Sequence, residues 1–370
     1  MSWEYTIFRG KKLKRGYTTG SCAAGAAKAA VKMLFSGEKL DKISILTPAG
    51  VLLELDLHNI SRDGKRVSCS VKKFSGDDPD ITDGIHVFAS AEEKEEAVVE
   101  IAGGEGVGVV TRPGLQVPEG EIAINPVPMS MILGEVNKVL LPGKGVRVVI
   151  SIPGGEELAR KTFNPKLGIM GGLSILGTTG IVEPMSEEAF KETLALELKL
   201  LPVPEKQDCL VLVPGNIGKK LVRETFSLPA EKIFKMGNFV GFILDKCLEQ
   251  GVQKVLLAGH IGKLFKVAAG IFHTHSHVAD ARFETFAAHA SLLGADRETI
   301  RKLSCCATAE EMTAVLDIPG MEDFFNYLAA RVSLRVEEYT GNQISAGTVL
   351  FSLKKGVLGM DSKAKMLLGE

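Results

Sequence analysis

Residues 16–30 constrain this chain more than any other stretch. A glycine- and hydroxyl-rich turn, Gly16-Tyr-Thr-Thr-Gly20, runs directly into Ser21-Cys-Ala-Ala-Gly-Ala-Ala-Lys-Ala-Ala30. Alanine is the strongest helix former, so the run predicts a helix over about 21–35, with Ser21 as its N-cap. The small residues Ala23, Ala24, Gly25, Ala26 and Ala27 let another backbone or a flat ligand approach closely. The first N–H groups of such a helix, at the positive end of its dipole, also make a seat for an anion. Thr18, Thr19 and Ser21 would add hydroxyls to it. Spacing alone leaves two readings open, a tightly packed helix with an ordinary cap and an anion seat. The GxxxxGK[ST] pattern of a nucleoside triphosphate P-loop is absent.

A chain of 370 residues with 45% hydrophobic content can bury two cores. Its formal charge of −1 lacks the basic surplus typical of nucleic-acid binding. Lys11, Lys12, Lys14 and Arg15 form a short basic run, read as a solvated N-terminal arm or as a steering patch for an acidic substrate. Six cysteines without a CxxC pair point to a reducing compartment, and the default location is cytoplasmic. Adjacent Cys305 and Cys306 read as buried helix residues. The N-terminus carries charges where a signal peptide needs an apolar run, and no apolar stretch is long enough to span a membrane.

Segments 42–46, 51–57, 67–73, 98–102 and 146–152 are β-branched and bounded by Gly, Pro or Asp, so they read as strands, with helices near 21–35 and 128–140. That pattern predicts an N-terminal α+β sheet domain over 1–160. Residues 160–185, rich in Gly, Pro, Asn and Thr, read as a junction. The remainder alternates differently: helix 186–200, strand 209–213, the turn Pro214-Gly-Asn-Ile-Gly218 and a helix, then helix 238–250, strand 254–258, the turn Gly259-His-Ile-Gly-Lys263 and another helix. Repeated strand–glycine turn–helix units predict parallel strands, hence a C-terminal Rossmann-like parallel-sheet domain over 161–370 with a helical extension at 280–338 and a strand at 343–353. Ligands of such sheets bind beyond the carboxyl ends of the strands, at 214–218 and 259–263 here. Gly16-Tyr-Thr-Thr-Gly20 and Gly177-Thr-Thr-Gly180 echo each other, one in each half.

Other constellations are less specific. Glu100-Ile-Ala-Gly-Gly-Glu-Gly-Val-Gly108 looks like the acidic and GxGxG loop of S-adenosylmethionine (SAM) methyltransferases, but the following Val109–Leu115 contains no helix, and a bulged hairpin is the better reading. His273, His275 and His277, followed by Asp280, would share a face on a strand and could ligate a transition metal. If Lys263–Phe272 is helical, they instead suit a helix C-terminus and loop. Gly237 and Asn238 open a helix carrying Phe239 and Phe242, read as core, and Asp245, read as a solvated or capping charge. Arg112, Arg160, Lys166 and Lys263 sit at glycine- or proline-rich turns, where they can pair with carboxylates or simply remain solvated.

Taken together, several stretches resemble one family. They are Gly16-Tyr-Thr-Thr-Gly-Ser-Cys-Ala-Ala24, Gly104-Glu-Gly-Val-Gly-Val-Val-Thr-Arg-Pro-Gly114, Ile124-Asn-Pro-Val-Pro128, Thr162-Phe-Asn-Pro-Lys-Leu-Gly168 and Ser174-Ile-Leu-Gly-Thr-Thr-Gly-Ile-Val182. They continue with Gly237-Asn-Phe-Val-Gly241, Gly259-His-Ile-Gly-Lys-Leu264 and His273-Thr-His-Ser276. In this order and across almost the whole chain, they resemble the CbiD family, the cobalt-precorrin-5B C-1-methyltransferases of anaerobic cobalamin biosynthesis.

The resemblance implies methyl transfer from SAM to carbon 1 of cobalt-precorrin-5B, a ring-contracted cobalt tetrapyrrole, giving cobalt-precorrin-6A. The cobalt is part of the substrate, so no protein-bound metal is expected. On this reading Thr18, Thr19, Ser21, Arg112, Thr178 and Thr179 bind the substrate's carboxylates, with the macrocycle between the halves. Gly215, Asn216, Gly218, Gly259 and Gly262 hold SAM, and His260 or His273 orients a proton. The expected partners are this substrate and SAM, with a homo-oligomer and transient contact with other cobalamin-pathway enzymes compatible, and neither nucleic acid nor membrane. Two rivals stand: a metal-dependent hydrolase built on His273, His275, His277 and Asp280, and a non-catalytic tetrapyrrole carrier.

Overall fold

In a computed structural model of the chain, which describes residues 3–8, 10–202, 204 and 208–369, the alanine run folds into the helix Thr19–Ser36. Its cap is Thr18 rather than Ser21. The backbone is still extended at Thr18, whose side-chain oxygen accepts the Ser21 N–H at 3.2 Å, so Ser21 already lies within the first turn. The helix stops at Gly37, which takes the left-handed conformation (φ 76°) and donates its N–H to the Met33 carbonyl. Ala23, Ala24, Ala26, Ala27, Ala29 and Ala30 are all fully buried. A helix apolar over most of its surface must be largely enclosed; this one packs on strands Arg66–Lys72 and His86–Lys94 and on the helix Pro126–Asn137, with Lys32 left exposed. The approach is close: a Cβ on Gly25 would lie 2.6 Å from Leu55 Cδ1.

Beneath the helix lies a six-stranded sheet in the order Lys42–Leu46, Leu52–Asp63, Arg66–Lys72, His86–Lys94, Gly145–Ser151, Val99–Gly103. Every neighbouring pair is antiparallel except the last, which is parallel. Alternate residues such as Ile43, Ile45, Leu53, Leu55, Val146 and Val148 point to the buried side. The strand His86–Lys94 escapes the sequence reading because its second half, Ala-Ser-Ala-Glu-Glu-Lys, lacks β-branched residues. The hairpin expected across 100–115 does not form within those residues, Val109 bridging antiparallel to Ile122 beyond them. The chain turns at Gly106 (φ 72°), where a Cβ would fall 1.8 Å from the Ile152 carbonyl oxygen, and Gly106–Val107 pairs in parallel with Gly172–Leu173 instead. The basic run is solvated, with Lys11, Lys12 and Lys14 exposed, on a strand Lys11–Lys14 that pairs antiparallel with Tyr5–Phe8.

The chain divides into two compact units, Met1–Glu187 and Glu188–Glu370. The expected boundary after residue 160 falls inside the first unit. Ile169–Met170, Gly172–Leu173 and Ile181–Val182 pair with Val109–Val110, Gly106–Val107 and Gly16–Tyr17 respectively, so the apparent junction belongs to the N-terminal sheet system.

In the second unit the strand order is Ile233–Lys235, Leu210–Val213, Lys254–His260, Ser345–Ser352, Gly356–Met360. The first four strands run parallel and the last is antiparallel to its neighbour. Leu212 and Leu257 face one apolar cluster while Val211 and Leu256 face another, so both faces of this sheet are covered. The helices Arg282–Leu292, Arg297–Ser304, Ala309–Val315 and Phe324–Tyr339 supply the expected helical extension. The fold is thus mixed α/β, with sheets of mixed strand orientation. Cys305 is exposed and Cys306 half-buried rather than core. Asp245 accepts a hydrogen bond from the Tyr339 hydroxyl at 3.1 Å. No helix among the described residues is long and apolar enough to cross a membrane.

Candidate functional site

Within the first unit, residues 163–182 form a thread along which the glycine motifs assemble. Thr111 donates through its N–H (2.7 Å) and its hydroxyl (2.8 Å) to the Gly168 carbonyl. Asn164 holds the thread's own turn, its amide donating to the Gly172 carbonyl and its side-chain oxygen accepting from Ser174, both at 3.3 Å. Ile175 then bridges to Ile124.

At its far end the thread meets the start of the first helix. The Gly20 N–H (3.1 Å) and the Thr19 hydroxyl (3.3 Å) donate to the Leu176 carbonyl. The Ser21 hydroxyl (2.7 Å) and the Thr18 N–H (3.1 Å) donate to the Gly180 carbonyl. The two Thr-Thr-Gly turns do come together, and they satisfy each other. Thr18, Thr19 and Ser21 are buried, and two main-chain carbonyls occupy the place expected for a substrate anion. The ordinary-cap reading accounts for these three residues.

Groups that remain accessible lie beside them. Thr178 and Thr179 are exposed, and the Thr179 carbonyl accepts the Ala49 N–H at 3.1 Å. That bond ties the loop to the turn at 47–50, which edges a hollow of about 520 Å³ lined by Thr47, Pro48, Pro126, Met131, Glu135 and Lys138 among others. Leu46 and Leu176 are exposed apolar side chains in the same segments, at 54% and 49%. Glu135 is buried between Lys28 (2.7 Å) and Lys138 (2.6 Å). Burial acts to raise its carboxyl pKa, but the hydrogen bonds and charges of the two lysines outweigh it and hold the carboxyl below its ordinary value. Arg112 is exposed, its stem lying across Gly168, where a Cβ would meet Arg112 Cγ at 2.8 Å.

In the second unit, the other glycine motifs gather at the carboxyl ends of the parallel strands. His260 ends its strand and caps the helix Ile261–Ala268, its Nδ1 accepting the Gly262 N–H at 3.1 Å. That leaves the ring proton on Nε2, which donates to Glu310 at 2.6 Å. Glu310 also accepts from the Ser352 hydroxyl (2.7 Å) and the Leu353 N–H (2.9 Å). His260 is therefore engaged at both nitrogens, capping the helix through Nδ1 and tethered to Glu310 through Nε2. Close packing accounts for several glycines expected at the cofactor. A Cβ on Gly259 would strike the Pro214 ring at 2.7 Å, one on Gly262 would sit 3.0 Å from the His260 ring, and one on Gly218 would crowd Val213 and the Ala258 carbonyl. Gly215 faces open space, and exposed Asn216 accepts from Lys235 at 3.1 Å.

His273 bridges to Phe239 through the backbone, and their rings stack 4.9 Å apart at 10°. The Thr274 N–H donates to the Asn238 carbonyl at 2.9 Å, while the Asn238 side chain accepts Lys263 Nζ at 2.8 Å. His275 and His277 follow in a turn, not on a strand, and Asp280 is held by Arg282. Among the described residues, no group of three or more His, Cys, Asp and Glu side chains is placed to hold a metal ion.

The family profile described as CbiD matches residues 7–184, and that described as CbiD, C-terminal domain, matches residues 273–362. A protein of Thermoanaerobacter sp. (strain X514) named cobalt-precorrin-5B C(1)-methyltransferase is 52% identical over 356 residues, covering 96% of this chain and 97% of the relative. The chain belongs to the CbiD family. A relative of the same name from Alkaliphilus metalliredigens (strain QYMF) is 48% identical, covering 98% of this chain and 96% of its own. A solved structure described as cobalamin biosynthesis protein (cbiD) from Archaeoglobus fulgidus is 32% identical, with a TM-score of 0.40, covering 76% of this chain and 88% of that one. Neither these names nor the geometry supports the metal-hydrolase alternative.

In this CbiD chain, sequence reading misses Glu135, Lys266 and Glu310. Lys263 and Lys266 are three residues apart on a helix, a spacing that can be read in advance. Glu310, 50 positions from His260, carries no such signal.

Proposed function

We propose that this CbiD chain is an SAM-dependent methyltransferase that methylates carbon 1 of cobalt-precorrin-5B, giving cobalt-precorrin-6A. The observation that carries this reading is identity of about half over nearly the full length of relatives bearing that name. When bound, SAM supplies an electrophilic methyl group. Such a displacement needs positioning and exclusion of water more than a strong side-chain nucleophile.

The C-terminal unit is proposed as Rossmann-like and as the SAM-binding unit. Its parallel strands and doubly covered sheet support that, as does the open backbone at Gly215 beside Asn216 at the carboxyl edge. In the N-terminal unit, Thr178, Thr179 and Arg112 are the accessible members of the expected substrate set, and the apolar hollow beside Thr179 fits the face of a macrocycle. His273, stacked on Phe239, is the histidine proposed to orient a proton. All six cysteines are free, which supports a reducing compartment such as the cytoplasm.

Anaerobic incubation with cobalt-precorrin-5B and methyl-labelled SAM tests the assignment. Label is expected at carbon 1 of the product, and label at another carbon, or none in the macrocycle, overturns it. SAM binding also separates the enzyme from a tetrapyrrole carrier, which has no use for the cofactor.

A further inference from the structure

Lys263 and Lys266 lie on one face of the helix Ile261–Ala268, which opens at the carboxyl end of a central parallel strand. Lys266 is 3% exposed, a rare fate for an ammonium group. Its Nζ donates to the Thr274 carbonyl at 3.1 Å, and the half-buried Lys263 donates to the Asn238 side-chain oxygen at 2.8 Å. Each ammonium has three donors and no acceptor, and among the described residues neither has a carboxylate within 4.0 Å. The acid that acts on Lys266, Asp280, is bound through both oxygens to Arg282, at 2.5 and 2.8 Å.

Two further cations lie close by, each with its own acid, Lys191 beside Glu188 at 3.6 Å and Arg282 on Asp280. Lys191 Nζ lies 5.2 Å from the Phe239 ring, and Arg282 follows the histidine turn. Burial pushes both lysines down from their ordinary pKa, and for Lys263 the Lys266 charge adds to it. Two neighbouring desolvated cations paired only with neutral oxygens are costly unless an anion arrives to share them.

We propose that Lys263 and Lys266, oriented by Asn238 and the Thr274 carbonyl, form a carboxylate-binding site at the carboxyl edge of the C-terminal sheet. The inference rests on the methyl-transfer reading, which brings two carboxylate sources: the amino-acid end of SAM and the acetate and propionate arms of the macrocycle.

Calorimetric titration of the full chain separates them. SAM is compared with decarboxylated SAM, and cobyrinic acid with its fully amidated form. The wild-type protein is expected to prefer the acid of at least one pair by about tenfold or more. Lys263→Gln and Lys266→Met are expected to abolish that preference, and Lys263→Arg to restore part of it. Loss confined to the SAM pair assigns the site to the cofactor, and loss confined to the corrinoid pair assigns it to the macrocycle. Thermal unfolding checks each variant, and the half-buried Lys263→Gln decides alone if Lys266→Met does not fold. A preference unchanged in the variants, or equal losses for acid and neutral forms, overturns the site and leaves the methyltransferase reading standing. A wild-type protein that binds none of the four ligands overturns both.

Discussion

At position 177 the backbone takes φ 125°, and a Cβ there would stand 2.4 Å from Thr18 Cγ2. Gly177→Ala therefore combines an unfavourable conformation with overpacking against the helix cap, and is expected to cost about 2–4 kcal/mol in chemical denaturation. Thr18→Ala removes the cap without adding bulk and should cost about 1 kcal/mol, with Thr18→Ser close to wild type. If instead Thr18→Ala leaves stability unchanged and weakens substrate binding, the anion-seat reading returns. The echo of the two Thr-Thr-Gly turns is visible in the sequence, but their mutual satisfaction is not. The acceptors are the main-chain carbonyls of Leu176 and Gly180, and a carbonyl has no residue signature.

Between elements, Glu135 joins the helix Pro126–Asn137 to Lys28 of the first helix. Folding holds its carboxyl below the ordinary 4.5, so on acidification the unfolded chain takes up this proton first. The stability it contributes is whole above about pH 4.5 and drains away as pH falls through the folded-state value. Glu135→Gln is expected to lose about 1–3 kcal/mol at pH 7 and to show a smaller further loss on acidification than wild type. Urea unfolding at a series of pH values reads both effects, and parallel pH profiles would refute the account. The long helices and the central strands at 42–46, 66–72, 145–151, 210–213 and 254–260 are legible to within a few residues because they are apolar or β-branched runs bounded by turn residues. The pairing of Val99–Gly103 with Gly145–Ser151 is not, because nothing local to 99–115 announces a parallel partner so far along the chain.

For the molecule as a whole, the position of the boundary is testable by truncation. Residues 1–187 keep the thread at 163–182 and should unfold cooperatively by circular dichroism. Residues 1–160 lose the partners of Gly16–Tyr17, Gly106–Val107 and Val109–Val110 and should not. Equal behaviour of the two fragments would remove the thread's structural role. Sequence reading puts the boundary too early because this region has no helical or strand period, only two-residue pairings separated by glycine turns. The thread also sets a schedule for synthesis. Thr19 and Leu176 are 157 positions apart, and Ser21 and Gly180 are 159 apart. At ordinary translation rates the first helix must wait on the order of 10–30 s for the carbonyls that complete its start. The earliest helix of a nascent chain therefore stays unfinished while still on the ribosome, and any holding chaperone bound to it should be released as the residues around 180 emerge.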